Sequence, residues 1–294
     1  MKILFVAVFN PNSTNVAQAR GIRENGHEVI EFDYREVAAK VGLFERDKQL
    51  VYLCREEKPD ITIFSKCNQM HHTVVDECNK IGKTVLWYMD ATNNYDLELQ
   101  EKIKRSTAAI IGVDLIAENA LKLNKNSFFL NQCPDDKMNF MLDDFEYKYD
   151  VTFIGQVSGS GIHGNRQHYK DVIGFRHFNG VYGLEHNNIV NQSKINLNFA
   201  PTDSAGTSVR LHKILAAGGF LLTTPWIEKY MNKSFTVGKD FVTFDNATDL
   251  KNKIDYYLNN ENERNEIRLH GHQTVQQYLP KNWAKNLIEI VEQI

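Results

Sequence analysis

The 294-residue chain is 42% hydrophobic and 24% charged, with a formal net charge of -3. These values exclude a disordered, collagenous or disulfide-stapled protein, and the slightly acidic balance excludes a globally basic nucleic-acid binder, so any polyanion must meet a local patch. The length exceeds what one hydrophobic core organises, which points to two domains.

From the N-terminus, the apolar run Ile3 to Phe9 stops at Asn10-Pro11 with no small-residue cleavage site. It is too short to span a bilayer and reads as a buried strand rather than a leader. β-branched and aromatic runs predict further strands over 28–33, 61–65, 84–89, 108–113 and 127–130. Between them, helical spacing predicts helices over 15–24, 47–57, 73–81, 97–105 and 114–123, the last with Asp114 as its cap. Strands alternating with helices predict a doubly wound, parallel α/β domain over 1–149. The acidic stretch 134–150, PDDKMNFMLDDFEYKYD, has neither period and marks the boundary; its carboxylate pairs Asp135-Asp136 and Asp143-Asp144 read as linker solvation.

Beyond it the alternation restarts as a second domain over 150–294. Strands are predicted at 151–154, 181–182, 195–199, 220–223 and 241–244, and helices at 165–173, 186–192, 209–217 and from 247 through 278. The closing helix, 282–294, has two readings: a return to the first domain or local packing. Cys54, Cys67, Cys78 and Cys133 lack CxxC spacing and read as reduced, structural residues of a cytoplasmic protein. No apolar segment reaches the length of a membrane-spanning helix.

Ligands of parallel α/β sheets settle outside the carboxyl ends of the strands. The stretch 197–224, LNFAPTDSAGTSVRLHKILAAGGFLLTT, ends a strand, runs through a Ser/Thr/Gly loop and opens a helix near Ser208. Free amides after Gly206, Thr207 and Ser208, the helix dipole, and Arg210 and Lys213 three residues apart predict a phosphate site. The competing reading is a Ser208 cap and a solvated helix face. A second cradle candidate is GQVSGSGIHGNR, where the Gly155 amide, Ser158 and Arg166 can reach ligand oxygens, a surface loop being the alternative. In the first domain, Asp90 and then His72 lie at strand ends where a general base would act on an acceptor hydroxyl; a turn or helix-start role is the competing reading. No HExxH, CxxC pair or GxSxG is present, and two cations with a helix dipole predict metal-independent chemistry without a cofactor. Lys102, Lys104 and Arg105 form a basic cluster that reads as a solvated helix face or, less economically, as a DNA-contacting patch.

The run Ser193 to Thr223, with R-x-x-x-I-x-A-x-G-G-F-L-L-T at its centre, resembles the C-terminal domain of group-1 glycosyltransferases of the spore-maturation, CgeB-like type. The stretch GKDFVTFDNATDLKNKIDYYLNNENERNEI is similar to that family's closing strand and helices, and Lys58-Pro59-Asp60 and the W-x-x-D of Trp87 to Asp90 add looser support. The resemblance implies a GT-B fold, with two Rossmann-like domains facing across a cleft. The second domain would hold a nucleotide-sugar and the first an acceptor: a saccharide, a small molecule or a hydroxymethylated pyrimidine in phage DNA. The family commonly has Glu where Lys213 stands, which leaves a nucleotide-sugar binder without transfer, or a GT-B-type epimerase, as other readings.

Overall fold

The computed structural model describes residues 1–90, 95–157, 165–199, 208–225 and 231–294. They divide into two compact units, Met1–Cys133 with Pro280–Ile294, and Pro134–Leu279. The division falls at Cys133, not at 149–150. The acidic stretch belongs to the second unit because its backbone is held there: Phe140 N–H donates to Asn187 Oδ1 (3.0 Å) and Leu142 N–H to Asn191 Oδ1 (2.9 Å). Asp135 is not a linker-solvating group, being only 8% exposed.

The first unit runs β1 (Lys2–Ala7), α1 (Thr14–Glu24), β2 (Glu28–Asp33), α2 (Tyr34–Val41), α3 (Leu43–Glu57), β3 (Ile61–Ser65), α4 (Thr73–Asn79), β4 (Lys83–Tyr88), α5 (Leu97–Arg105), β5 (Ala108–Ile111), α6 (Asp114–Leu123) and β6 (Ser127–Phe129). Its strands are all parallel in the order β2-β1-β3-β4-β5-β6. Central strands such as ITIFS of β3 are buried along their whole length, as a sheet covered on both faces requires. Two local expectations fail. Asp33 Oδ1 accepts from Arg35 N and Glu36 N at 3.0 Å each, turning β2 directly into α2, an eight-residue helix absent from those expected above. Asp114 is the first residue inside α6 rather than its cap, which is Val113.

The second unit runs β7 (Tyr149–Ile154), α7 (Asn165–Ile173), β8 (Arg176–Phe178), α8 (Gly183–Asn191), β9 (Ser193–Asn198), α9 (Val209–Ala216), β10 (Leu221–Thr223), α10 (Met231–Ser234), β11 (Val242–Thr243), α11 (Ala247–Asn259), α12 (Glu261–Val275) and a 3₁₀ turn, Gln276–Tyr278. Its sheet, also parallel, has the order β11-β10-β9-β7-β8. The strand expected at 181–182 lies instead at 176–178, paired with β7 through Thr152, Phe153 and Ile154. An aromatic core of Phe153, Phe175, Phe199, Phe220 and Phe244 fills the interior.

The last helix, α13 (Pro280–Glu292), packs in the first unit against α1. A Cβ on Gly21 would sit 2.1 Å from Pro280 O, so only glycine admits this approach. Asn25 Nδ2 donates to Lys281 O (2.8 Å), and Trp283 meets Trp87 edge-on at 5.3 Å. Both indoles are fully buried, each contributing about 1.5–3 kcal/mol or more. Among the described residues, no helix is long and apolar enough to cross a membrane.

Candidate functional site

Within each sheet the chain reverses its winding at one place: between β1 and β3 in the first unit, and between β7 and β9 in the second. Such switch points leave a crevice at the carboxyl ends of the two strands. In the second unit that position holds Arg210, from the first turn of α9. Its Nε donates to Ile154 O at the end of β7 (2.8 Å), and its Nη1 donates to Asn198 Oδ1 at the end of β9 (3.0 Å) and to Ser208 Oγ (3.4 Å). Asn198 is itself fixed by Thr223 Oγ1 at 3.0 Å. The guanidinium lies 5.0 Å from the centroid of Phe153, and Arg166 shares the ring at 5.6 Å. Arg166 in turn donates to Gln156 O (3.0 Å) and Phe199 O (3.2 Å).

Gly155 follows β7 at φ +147, and a Cβ there would come within 2.7 Å of Arg210 Nη2. Any side chain at 155 would displace the guanidinium, so this glycine serves the cation's position as well as the loop. His177 Nε2 anchors the same residue by donating to Gly155 O at 2.6 Å.

The electrostatics of this cluster are one-sided. Burial first and the Arg166 charge second lower Arg210 to about 9. Burial lowers Arg166, and burial followed by the Arg210 charge lowers Lys213 against the pull of Asp135. His186, on α8, is held at about 3 by burial and then by Lys213 and Arg210. Among the described residues, neither Arg210 nor Lys213 has a carboxylate at ion-pair distance. Removing a cation from water without a counter-charge is unfavourable, and an anion entering here would relieve it. Arg210 as a residue keeps part of its surface accessible.

Of the residues expected from sequence, Arg210, Arg166 and Gly155 come together around Phe153, with Ser208 touching Arg210 and Lys213 within its field. Ser158, Gly206 and Thr207 lie outside the described residues. Asp90 and His72 have separate partners: Asp90 pairs with Lys66, while His72 Nδ1 lies 2.9 Å from Glu98 Oε1. The basic cluster on α5 is not a solvated face throughout. Lys102 is buried and donates to Cys67 O (2.9 Å), Lys104 pairs with Glu101 (2.7 Å), and Arg105 pairs with Asp76 (2.5 Å). An open groove of about 1140 Å³ runs along α3 and α4, but its charges neutralise one another through Arg55–Glu77 and Lys48–Glu45. Sequence reasoning missed Asn198, Phe153 and His186. The signal for Asn198 was present in β9, where Lys194, Asn196 and Asn198 alternate with Ile195 and Leu197 and so place polar side chains on one face of the strand.

A family model described as "Glycosyl transferase-like" matches residues 139–289, more than half of the chain. A comparison with curated proteins finds no match. Among solved structures, the chain is similar to Anabaena Alr3699/HepE in complex with UDP-glucose (9% identity, TM-score 0.70, all of both chains covered). It is also similar to sucrose-phosphate synthase from Thermosynechococcus elongatus (10% identity, TM-score 0.69, 100% of this chain and 98% of that one). A glycosyltransferase from Rickettsia africae matches at 12% identity and TM-score 0.66, over 99% and 98% of the two chains. These likenesses establish the GT-B glycosyltransferase fold, two doubly wound parallel sheets with flanking helices. With that fold and the family match over its second unit, the chain belongs to the group-1 glycosyltransferases, enzymes that move sugars from nucleotide-sugar donors.

Proposed function

We propose that this chain transfers a sugar from a nucleotide-sugar to an acceptor hydroxyl, with the second unit as the donor side and the first as the acceptor side. One observation carries the reading: Arg210 stands at the β7/β9 switch point, desolvated and without a carboxylate partner among the described residues. A diphosphate supplies the missing charge. As the bond from the sugar to the diphosphate breaks, negative charge grows on the departing oxygen, and Arg210, Lys213, Arg166 and the α9 amides are aimed at it in advance. No metal ion is required in this reading. The Anabaena protein solved with UDP-glucose supports a nucleotide-sugar as donor and makes UDP-glucose the first probe.

Lys213 stands where related enzymes carry a Glu. An ammonium donates hydrogen bonds and accepts none, so Lys213 serves the diphosphate rather than the ribose. Asp90, at the carboxyl end of β4, is the base we assign to the acceptor. The CgeB-like subgroup is the finer assignment we favour, on the Ser193 to Thr223 run.

Turnover of UDP-, GDP-, ADP- and CMP-sugars by the wild type and Arg210→Ala tests the reading. The expected outcome is a 10²- to 10³-fold fall in kcat/KM, of the order seen when one pre-positioned transition-state donor is removed, with the fold retained by circular dichroism. Unchanged turnover in Arg210→Ala overturns the site. Donor binding without nucleotide release across an acceptor panel would instead indicate a binding protein, and sugar interconversion without acceptor an epimerase.

A further inference from the structure

A second cluster of chemistry-bearing side chains lies in the first unit, away from the residues assigned to the donor. The loop that leaves β3 carries three non-glycine residues in the left-handed region, Lys66 (φ 59), Cys67 (φ 51) and Gln69 (φ 62). Such backbone is unfavourable and persists only when its surroundings over-determine it. Here two buried cations do so. Arg46, 1% exposed, donates from Nη2 to Gln69 O (2.8 Å), and Lys102, 4% exposed, donates to Cys67 O (2.9 Å). The locked loop leads into His71 and His72, whose rings stack at 4.2 Å.

Lys102 tethers the loop from α5, and Glu98 stands four residues earlier on the same helix face. The contact that holds the loop therefore also sets its distance from Glu98, whose Oε1 reaches His72 Nδ1 at 2.9 Å. His71 Nδ1 is engaged by Thr73 Oγ1 at 2.8 Å, leaving Nε2 for another partner. One donor atom from each of His71, His72 and Glu98 lies within 4.8 Å of the others.

We propose that His71, His72 and Glu98 form a binding site for a divalent transition-metal ion of the zinc class. Two imidazoles and one carboxylate suit such an ion rather than magnesium or calcium, which prefer oxygen ligands throughout. Ligand atoms around tetrahedral zinc lie about 3.3 Å apart for bonds of about 2.0 Å, so binding requires the exposed Glu98 side chain to move inward while Thr73 holds His71. A metal-bound histidine donates its other ring N–H to an outer acceptor, and Thr73 Oγ1, 2.8 Å from His71 Nδ1, is placed to accept it. His71 also lines the groove along α3 and α4, so the remaining coordination positions are reachable from solvent. The assignment is independent of sugar transfer and gives His72 a role other than general base.

The test is zinc titration of the untagged, chelator-stripped full chain in competition with a chromophoric zinc indicator. One equivalent should bind, and His71→Ala and Glu98→Gln should each weaken the affinity at least about tenfold, since even outer-shell changes have effects of that size. Metal-free melting temperatures should match the wild type, because both side chains are exposed; Glu98→Gln, which preserves shape, keeps the test valid if His71→Ala folds poorly. No zinc uptake by the wild type, or wild-type affinity in a folded variant, overturns the site. Neither result bears on Arg210.

Discussion

The two sheets share one winding pattern and treat charge in opposite ways at the edge where ligands settle. In the first unit the β1/β3 switch point is closed by a neutral contact, Ser65 Oγ to Asn15 Oδ1 at 2.9 Å. The cations around it are answered from within: Arg46 by Asp47, Lys66 by Asp90, and Lys102 by the Cys67 carbonyl. In the second unit the equivalent position holds Arg210 on a carbonyl and an amide oxygen, with Lys213 and Arg166 adding like charge. A charge matched internally fixes a loop. A charge left unmatched at a strand end prepares a place for a ligand's anion.

The sharpest way to break this contrast is Lys213→Glu, which would give Arg210 the internal partner that first-unit cations already have. One cation is lost and one anion gained, each charged contact being worth about 1.5–3 kcal/mol. Diphosphate affinity should fall at least about tenfold while the melting temperature of the ligand-free chain rises. Calorimetry with UDP alongside a thermal melt reads both, and unchanged affinity would show that Lys213 lies outside the anion's reach.

A pH titration sharpens the contrast from the other side. His186 and His212 in the second unit are each held at about 3, burial being the leading cause for both, and among the described residues neither ring nitrogen of His212 has a hydrogen-bond partner. Their folded values lie below the unfolded value of about 6.5, so between the two the unfolded chain binds more protons. Stability is fully present above about 6.5 and is lost as pH falls from there toward 3. At pH 5 each histidine removes about 2 kcal/mol. His212→Leu should therefore flatten the acid limb of the melting curve, and a diphosphate should lessen the share of His186; an unaltered acid limb in His212→Leu would refute the assignment.

The smallest effect belongs to Lys66→Met. Lys66 and Asp90 are partly exposed, at 32% and 26%, and ion pairs in such settings contribute at most about 1 kcal/mol. Chemical denaturation should register less than that, and a larger loss would mean that the strained loop depends on this pair.

Both parallel sheets were readable because strands buried on two faces, such as ILFVA and TVLWY, stand out as apolar runs between amphipathic stretches. Arg210 and Lys213 were readable because a strand, a small-residue loop and a helix start fall in order along the chain. α2 was not, since an eight-residue helix that buries only Tyr34 is shorter than the window over which a helical period can be read. His186 was not, since its partners are remote in sequence, and Asp135 looked like linker until its burial was known.

Local pattern alone specified two doubly wound α/β sheets, the break after the first, and a cation-bearing helix following β9, because periodicity and loop chemistry act over a few residues. Three-dimensional packing settled the rest: α13 returning over 250 residues to lie on Gly21, the boundary at Cys133, and the absence of a carboxylate beside Arg210 among the described residues. These depend on which distant groups share one small volume, and desolvation and Coulomb interactions are set by that proximity rather than by order along the chain.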